Sequence, residues 1–151
     1  MATLHDALCA DHERLDALFQ DLLNAAEGAD QPTLQRIWAR FESGLLAHLD
    51  AEETHLLPVL EEVAPDTVKE IREEHAQIRK LISELGVTTE LHQLRKEVAD
   101  LLVRSLRDHA AYEDRTLYHR ADELMSEQDR DVVRHFLRDE AERRLSEAVT
   151  R

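Results

Sequence analysis

Apolar residues recur at intervals of three, four and seven along nearly the whole chain, the signature of helices that each bury one face. The pattern predicts a first helix from about Thr3 to Glu27, with Leu4, Leu8, Leu15, Phe19 and Leu22 on one side. Gly28 to Gln31 reads as a turn, and Pro32 suits the first position of a second helix. That helix carries Leu34, Ile37, Phe41, Leu45, Leu56 and Val59 to about Val63. Pro58 lies inside it and removes one backbone hydrogen bond, which predicts a kink. Pro65 and Asp66 break and restart the chain into a third helix through Val68, Ile71, Ile78, Leu81 and Leu85, with Gly86 as its C-terminal cap. Thr88 or Thr89 starts a fourth, carrying Leu94, Val98, Leu102, Leu106 and Leu117. Ser126, followed by Asp129, opens a fifth with Val132, Phe136 and Leu145 inward. Short connections make neighbouring helices antiparallel. The expected fold is all-α: an up-down-up-down four-helix bundle over about 3–125 with an additional C-terminal fifth helix over about 127–149, one domain in all.

An internal repeat sharpens this picture. DHERLDALF from Asp11 to Phe19 parallels EHAQIRKLI from Glu74 to Ile82, an acidic residue, a histidine and then apolar residues at matching places. LLAHLDAEETHL from Leu45 to Leu56 parallels LRDHAAYEDRTL from Leu106 to Leu117. The offsets are 63 and 61 residues (75 − 12 and 109 − 48), so helices one and two resemble helices three and four. A pseudo-two-fold bundle follows, with its histidines at equivalent heights.

Four of those histidines lie on apolar stripes. His12 stands between Leu8 and Leu15, His48 follows Phe41 and Leu45, His75 stands between Ile71 and Ile78, and His109 follows Leu102 and Leu106. Glu52 and Glu113 come four residues after His48 and His109, on the same inward faces. A buried unpaired carboxylate costs several kcal/mol, so it demands a partner. Four imidazoles and two glutamates meeting in one core are satisfied together by a pair of cations. Carboxylates can bridge two metals about 3.5–4 Å apart. Imidazole and carboxylate without thiolate suit iron, manganese or zinc, and iron is the preferred choice. Ligation needs neutral histidines, so metal loss on acidification is expected.

The lone His12, the pair His48–Glu52, the lone His75 and the pair His109–Glu113 make the sequence resemble the hemerythrin-like HHE cation-binding family, over roughly Thr3 to Leu124. The resemblance implies that His12 and His48 bind one iron and His75 and His109 the other. Glu52 and Glu113 would bridge them, beside an oxo, hydroxo or water ligand. Two departures matter. Oxygen-carrying hemerythrins place a second histidine one turn after the helix-three ligand, where this chain has Arg79. They also use a carboxylate five residues after the helix-four histidine, which is Asp114 here; Glu113 is the repeat-equivalent residue and the preferred bridge. The missing histidine speaks against reversible oxygen carriage and for open positions that take water, dioxygen, peroxide or nitric oxide.

Five further histidines remain. His55, three after Glu52, is either an added ligand or a hydrogen-bond partner of one; His5 shares the stripe of His12 nearer the helix end. His92, His119 and His135 read as surface or rim residues. Cys9 reads as a small buried hydrophobe. Tyr112 and Tyr118 either donate to a metal-bound oxygen or fill the rim of the bundle, and Trp38 with Phe41 plugs it a turn or two away.

Composition narrows the function classes. A net charge of −14, from 33 acidic and 19 basic residues, repels phosphate backbones and anionic headgroups, so neither nucleic acid nor a membrane is an expected partner. A single cysteine leaves no intrachain disulfide. The start lacks a basic region followed by an apolar run, so a cytoplasmic location is the expectation. No nucleophile triad, phosphate-cradling glycine loop or dinucleotide fingerprint is present. The leading expectation is a non-haem di-iron protein that binds or senses dioxygen, nitric oxide or peroxide. Catalase-like or peroxidase-like turnover, iron storage or buffering, and a metal-free interaction bundle are the alternatives.

Overall fold

The computed structural model describes residues 3–28, 30–90 and 95–149. Long helices run through nearly all of it: α1 (Leu4–Gly28), α2 (Gln31–Ala51), α3 (Leu57–Leu60), α4 (Pro65–Glu90), α5 (Lys96–Thr116), α6 (Tyr118–Leu124) and α7 (Glu127–Val149). A π-helical turn, Glu52–Leu56, joins α2 to α3. The bundle has four columns, α1, α2 with α3, α4, and α5 with α6, while α7 lies mainly along α2.

Local chemistry accounts for the ends. Asp30 has extended backbone and its carboxylate accepts the Thr33 N–H at 2.8 Å, capping α2, with Pro32 in the first turn. The Ser126 hydroxyl accepts the Asp129 N–H at 3.1 Å and opens α7 as expected. Asp122 of α6 accepts the N–H groups of Leu4 and His5, so one column caps the start of another.

Several expectations are corrected. The second helix does not run unbroken to Pro58. It widens into the π turn just before it, and the added residue shifts the inward stripe from Val59, which is exposed, to Leu57 and Leu60, which are buried. Gly86 does not cap a helix, and Thr88 and Thr89 do not start one. α4 continues to Glu90, with both threonine hydroxyls donating back to the Leu85 carbonyl. Gly86 instead makes room for Trp38, whose ring carbon would stand 3.3 Å from an added Cβ. The fourth column breaks at Leu117 rather than running straight through it. In α7 the buried residue is Val133, not Val132, with Phe136 and Leu137 packed beside it. Leu94 and His92 lie outside the described residues.

The core is in two parts with a polar layer between them. One apolar cluster takes Leu15, Phe19 and Leu22 of α1, Phe41 and Leu45 of α2, Ile78 and Ile82 of α4, and Leu102 of α5. The other takes Leu4 and Leu8 of α1, Leu56, Leu57 and Leu60, Ile71 of α4, and Leu117 and Tyr118. On every column the residues between the clusters are the histidines and glutamates. Full burial of each Leu, Ile or Phe contributes about 1.5–3 kcal/mol, and two such clusters offset the cost of the charged layer they enclose.

Candidate metal centre

All six predicted residues meet in that layer. His48, Glu52, His75, His109 and Glu113 are buried, and the His12 side chain keeps 17% of its exposure. The donor atoms sort into two sets, His12, His48, Glu52 and Glu113, and Glu52, His75, His109 and Glu113. Both carboxylates belong to both sets. Glu52 Oε1 stands 2.9 Å from His48 Nε2, while its Oε2 stands 3.1 Å from His75 Nε2. Glu113 Oε1 is 3.0 Å from His109 Nε2 and 3.4 Å from His12 Nε2, and its Oε2 is 3.6 Å from His75 Nε2.

Two features of this geometry fit cations better than an internal hydrogen-bond network. The Nε2 atoms of His75 and His109 face each other at 3.0 Å, and with the Nδ1 of each neutral ring donating to Glu53 or Glu74 neither Nε2 has a proton to donate. Glu52 Oε2 and Glu113 Oε2 are buried without a well-formed hydrogen bond. Lone pairs aimed at common points are what two ions bridged by two carboxylates require.

Outside the centre, three carboxylates hold the histidines by their other nitrogens. Asp11 accepts from His48 Nδ1 at 2.7 Å, Glu53 from His75 Nδ1 at 2.9 Å, and Glu74 pairs closely with His109 Nδ1. Each bond sets the tautomer that leaves Nε2 free to ligate. Asp11 and Glu74 are equivalent in the repeat (74 − 11 = 63), and so are the histidines that they hold. The sequence signal was present in the acidic residue that opens both DHERL and EHAQI, but each acts on the histidine of the neighbouring column rather than on its own.

The backbone obeys the same pseudo-symmetry. Leu56 and Leu117, also 61 residues apart, have φ/ψ of −94°/−53° and −95°/−51°. Each stands four residues after a central glutamate, where its column departs from the α-helix. Only the second column has a proline nearby, so Pro58 is not the common cause.

Tyr118 opens α6 just after that break and is fully buried. Its hydroxyl donates to Glu52 Oε1 at 2.6 Å and lies 2.9 Å from His12 Nε2 and 3.2 Å from Glu113 Oε1. Burial, and then the charges of Glu113 and Glu52, raise its pKa well above the ordinary phenol, so it remains a donor. Tyr112 points outward and bonds Glu70. The carboxylates dominate the electrostatics. Burial disfavours imidazolium at His48 and His75, but Glu52 and Asp11 raise His48 to about 10, while Glu113, Glu52 and Glu53 raise His75 to about 11. Burial likewise opposes ionisation of Glu113, yet Glu52 and the surrounding histidines hold it well below the usual carboxylate range. The layer draws positive charge strongly.

A model of the hemerythrin HHE cation-binding domain matches residues 3–121 and, a second time, residues 66–145. The chain belongs to the hemerythrin HHE cation-binding family. The second match begins 63 residues after the first (66 − 3), the offset of the internal repeat. No curated protein and no solved structure matches the chain.

Within this HHE domain the two departures have structural explanations. Arg79 turns away from the centre and bonds Asp50 at 2.7 Å and Glu53 at 3.0 Å, steadying the carboxylate that holds His75. Arg144 of α7 pairs with the same Asp50, so the last helix is tied to the rim of the centre. Asp114 is neither a bridge nor a support of a central histidine; it pairs with His5 and Cys9. His55 is not among the central donors and packs edge-on against Phe136 at 5.3 Å. Cys9 is half-buried with a hydrogen bond to Asp114, so it is more than an apolar filler. No helix among the described residues is long and apolar enough to cross a membrane.

Proposed function

We propose that the HHE layer holds two iron ions, one on His12 and His48 and the other on His75 and His109, bridged by Glu52 and Glu113, and that it binds or senses dioxygen, nitric oxide or peroxide. The observation that carries this reading is the sharing of both carboxylates by two otherwise separate histidine pairs. Manganese would fit the same donors, and zinc would fit them without supplying a redox couple.

A cavity of about 340 Å³ supports the small-ligand part of the proposal. His12, His48 and His109 line it together with an apolar wall that includes Leu15, Phe19, Leu45 and Leu106, and Glu13, Asp16 and Arg107 add charge to the lining. Apolar walls favour a small, weakly hydrated guest and limit the entry of bulk water. The ions would supply Lewis acidity and a redox couple. The protein's own part is orientation and proton placement. Asp11, Glu53 and Glu74 fix three imidazoles, and the Tyr118 hydroxyl presents a hydrogen-bond donor beside Glu52.

The test is metal analysis of protein expressed with ample iron, with visible spectra recorded before and after nitric oxide and peroxide. Two irons per chain and a spectrum that responds to either reagent are expected. Stoichiometric zinc with no redox response overturns the reading. Sustained oxygen evolution from peroxide would instead favour catalase-like turnover.

A further inference from the structure

The pseudo-two-fold relation breaks among the carboxylates that support the histidines. Glu53 corresponds to Asp114 (114 − 53 = 61) and His75 to His12 (75 − 12 = 63). Glu53 bonds His75, so symmetry would have Asp114 hold His12. Asp114 turns instead to the face of α1 on which His5 and Cys9 stand one turn apart.

From this arrangement we infer that His5, Cys9 and Asp114 form a second, mononuclear site for a borderline divalent cation such as Zn²⁺ or Co²⁺. One donor atom from each residue lies within 4.8 Å of the other two. Zinc bonds of about 2.0–2.3 Å put tetrahedral neighbours roughly 3.3–3.8 Å apart, and Cys9 Sγ is already 3.4 Å from Asp114 Oδ1. Imidazole, thiolate and carboxylate together suit a borderline ion rather than Mg²⁺ or Ca²⁺. Three protein donors leave the fourth position to solvent. The His119 ring lies 4.3 Å from that of His5.

The site is built on fixed elements. His5 and Cys9 share one helical face by their spacing of four, and Asp122 anchors that first turn by accepting the Leu4 and His5 N–H groups, each at 3.1 Å. Asp114 comes from α5, so an ion there would tie two columns of the bundle together. The Asp114 side chain is 49% exposed, which leaves an entry path from solvent. The His5 ring is also 5.9 Å from that of Tyr118, so the outer site sits one aromatic ring from the buried centre.

Because Cys9 is the only cysteine, a thiolate-to-metal signal can come from nowhere else. The test adds Co²⁺ to protein whose buried centre is already filled with iron. A thiolate-to-cobalt charge-transfer band, with one cobalt bound per chain, is expected; it should vanish in Cys9→Ala, weaken in His5→Ala and survive in His75→Ala. No such band in the wild type, or equal cobalt uptake by Cys9→Ala, overturns the inference. Should Cys9→Ala not fold, alkylation of Cys9 in the wild type decides the matter. Zn²⁺ should slow it severalfold, and an unchanged rate counts against the site. The thiolate band and the alkylation rate report on Cys9 whatever occupies the buried centre, so the two proposals fail separately.

Discussion

Asp11 and Glu74 occupy equivalent posts, each reaching across to the Nδ1 of a histidine on the next column. Supports of this kind set ligand orientation and basicity, and their removal typically costs about 10–100-fold in metal affinity. Asp11→Ala and Glu74→Ala should therefore weaken metal binding by that factor in chelator competition while leaving helical content unchanged. Affinity equal to the wild type in both variants would show that packing alone aims His48 and His109. The six central residues could be read from the sequence because each combines a polar side chain with a position on an apolar stripe. Their supports were harder to read: an acidic residue opens both repeat motifs, but which histidine Asp11, Glu53 or Glu74 serves shows only when the columns are set side by side. Tyr118 was half legible. Its chemistry was plain, but whether its hydroxyl faced the rim or the centre depended on the break at Leu117.

At the scale of the helix, the two departures after Glu52 and Glu113 follow the carboxylates rather than the proline. Pro58→Ala should accordingly keep two metals per chain and shift unfolding free energy by no more than about 1 kcal/mol, the usual size of proline effects at compatible positions. Loss of metal in that variant would make Pro58 the cause of the π turn after all. Helix existence and inward faces were legible because periodicity reports burial directly. The breaks were not, because a π turn and a single distorted leucine leave no compositional mark. Gly86 misled for a related reason, as glycine next to the bulky Trp38 reads the same as glycine at a helix end. The capped start of α2 offers a test in acid. The Thr33 side chain, and then its backbone N–H, hold the Asp30 carboxyl below its usual range, and the folded state therefore gains from Asp30 ionisation. That gain is fully present above the unfolded-state pKa and is lost as pH falls through the lower folded-state value. Asp30→Ala should melt earlier than the wild type at neutral pH, and the difference should shrink as the solution is acidified. A difference independent of pH would deny the cap its charge.

Over the whole molecule, a duplicated plan has been made unequal. His75 is fully enclosed, with Glu53 on its Nδ1 and Arg79 bracing Glu53, and Asp50 links Arg79 to Arg144 of α7. On the other half the carboxylate that would hold His12 is turned to His5 and Cys9, His12 remains partly exposed, and the cavity reaches both histidines, His12 and His48, against His109 alone of the enclosed pair. If the layer holds the two ions proposed, they should differ in how quickly they leave. A chelator added to the loaded protein should remove metal in two phases, the faster from His12 and His48. His12→Ala should then lack the fast phase and keep one slowly released metal. An ion that binds only the folded state stabilises it in proportion to the logarithm of its concentration over its Kd. The melting temperature should accordingly fall in two steps that match the two phases. Release of both metals at one rate, or loss of the fast phase in His75→Ala instead, would mean that the enclosed half is no tighter than the open one.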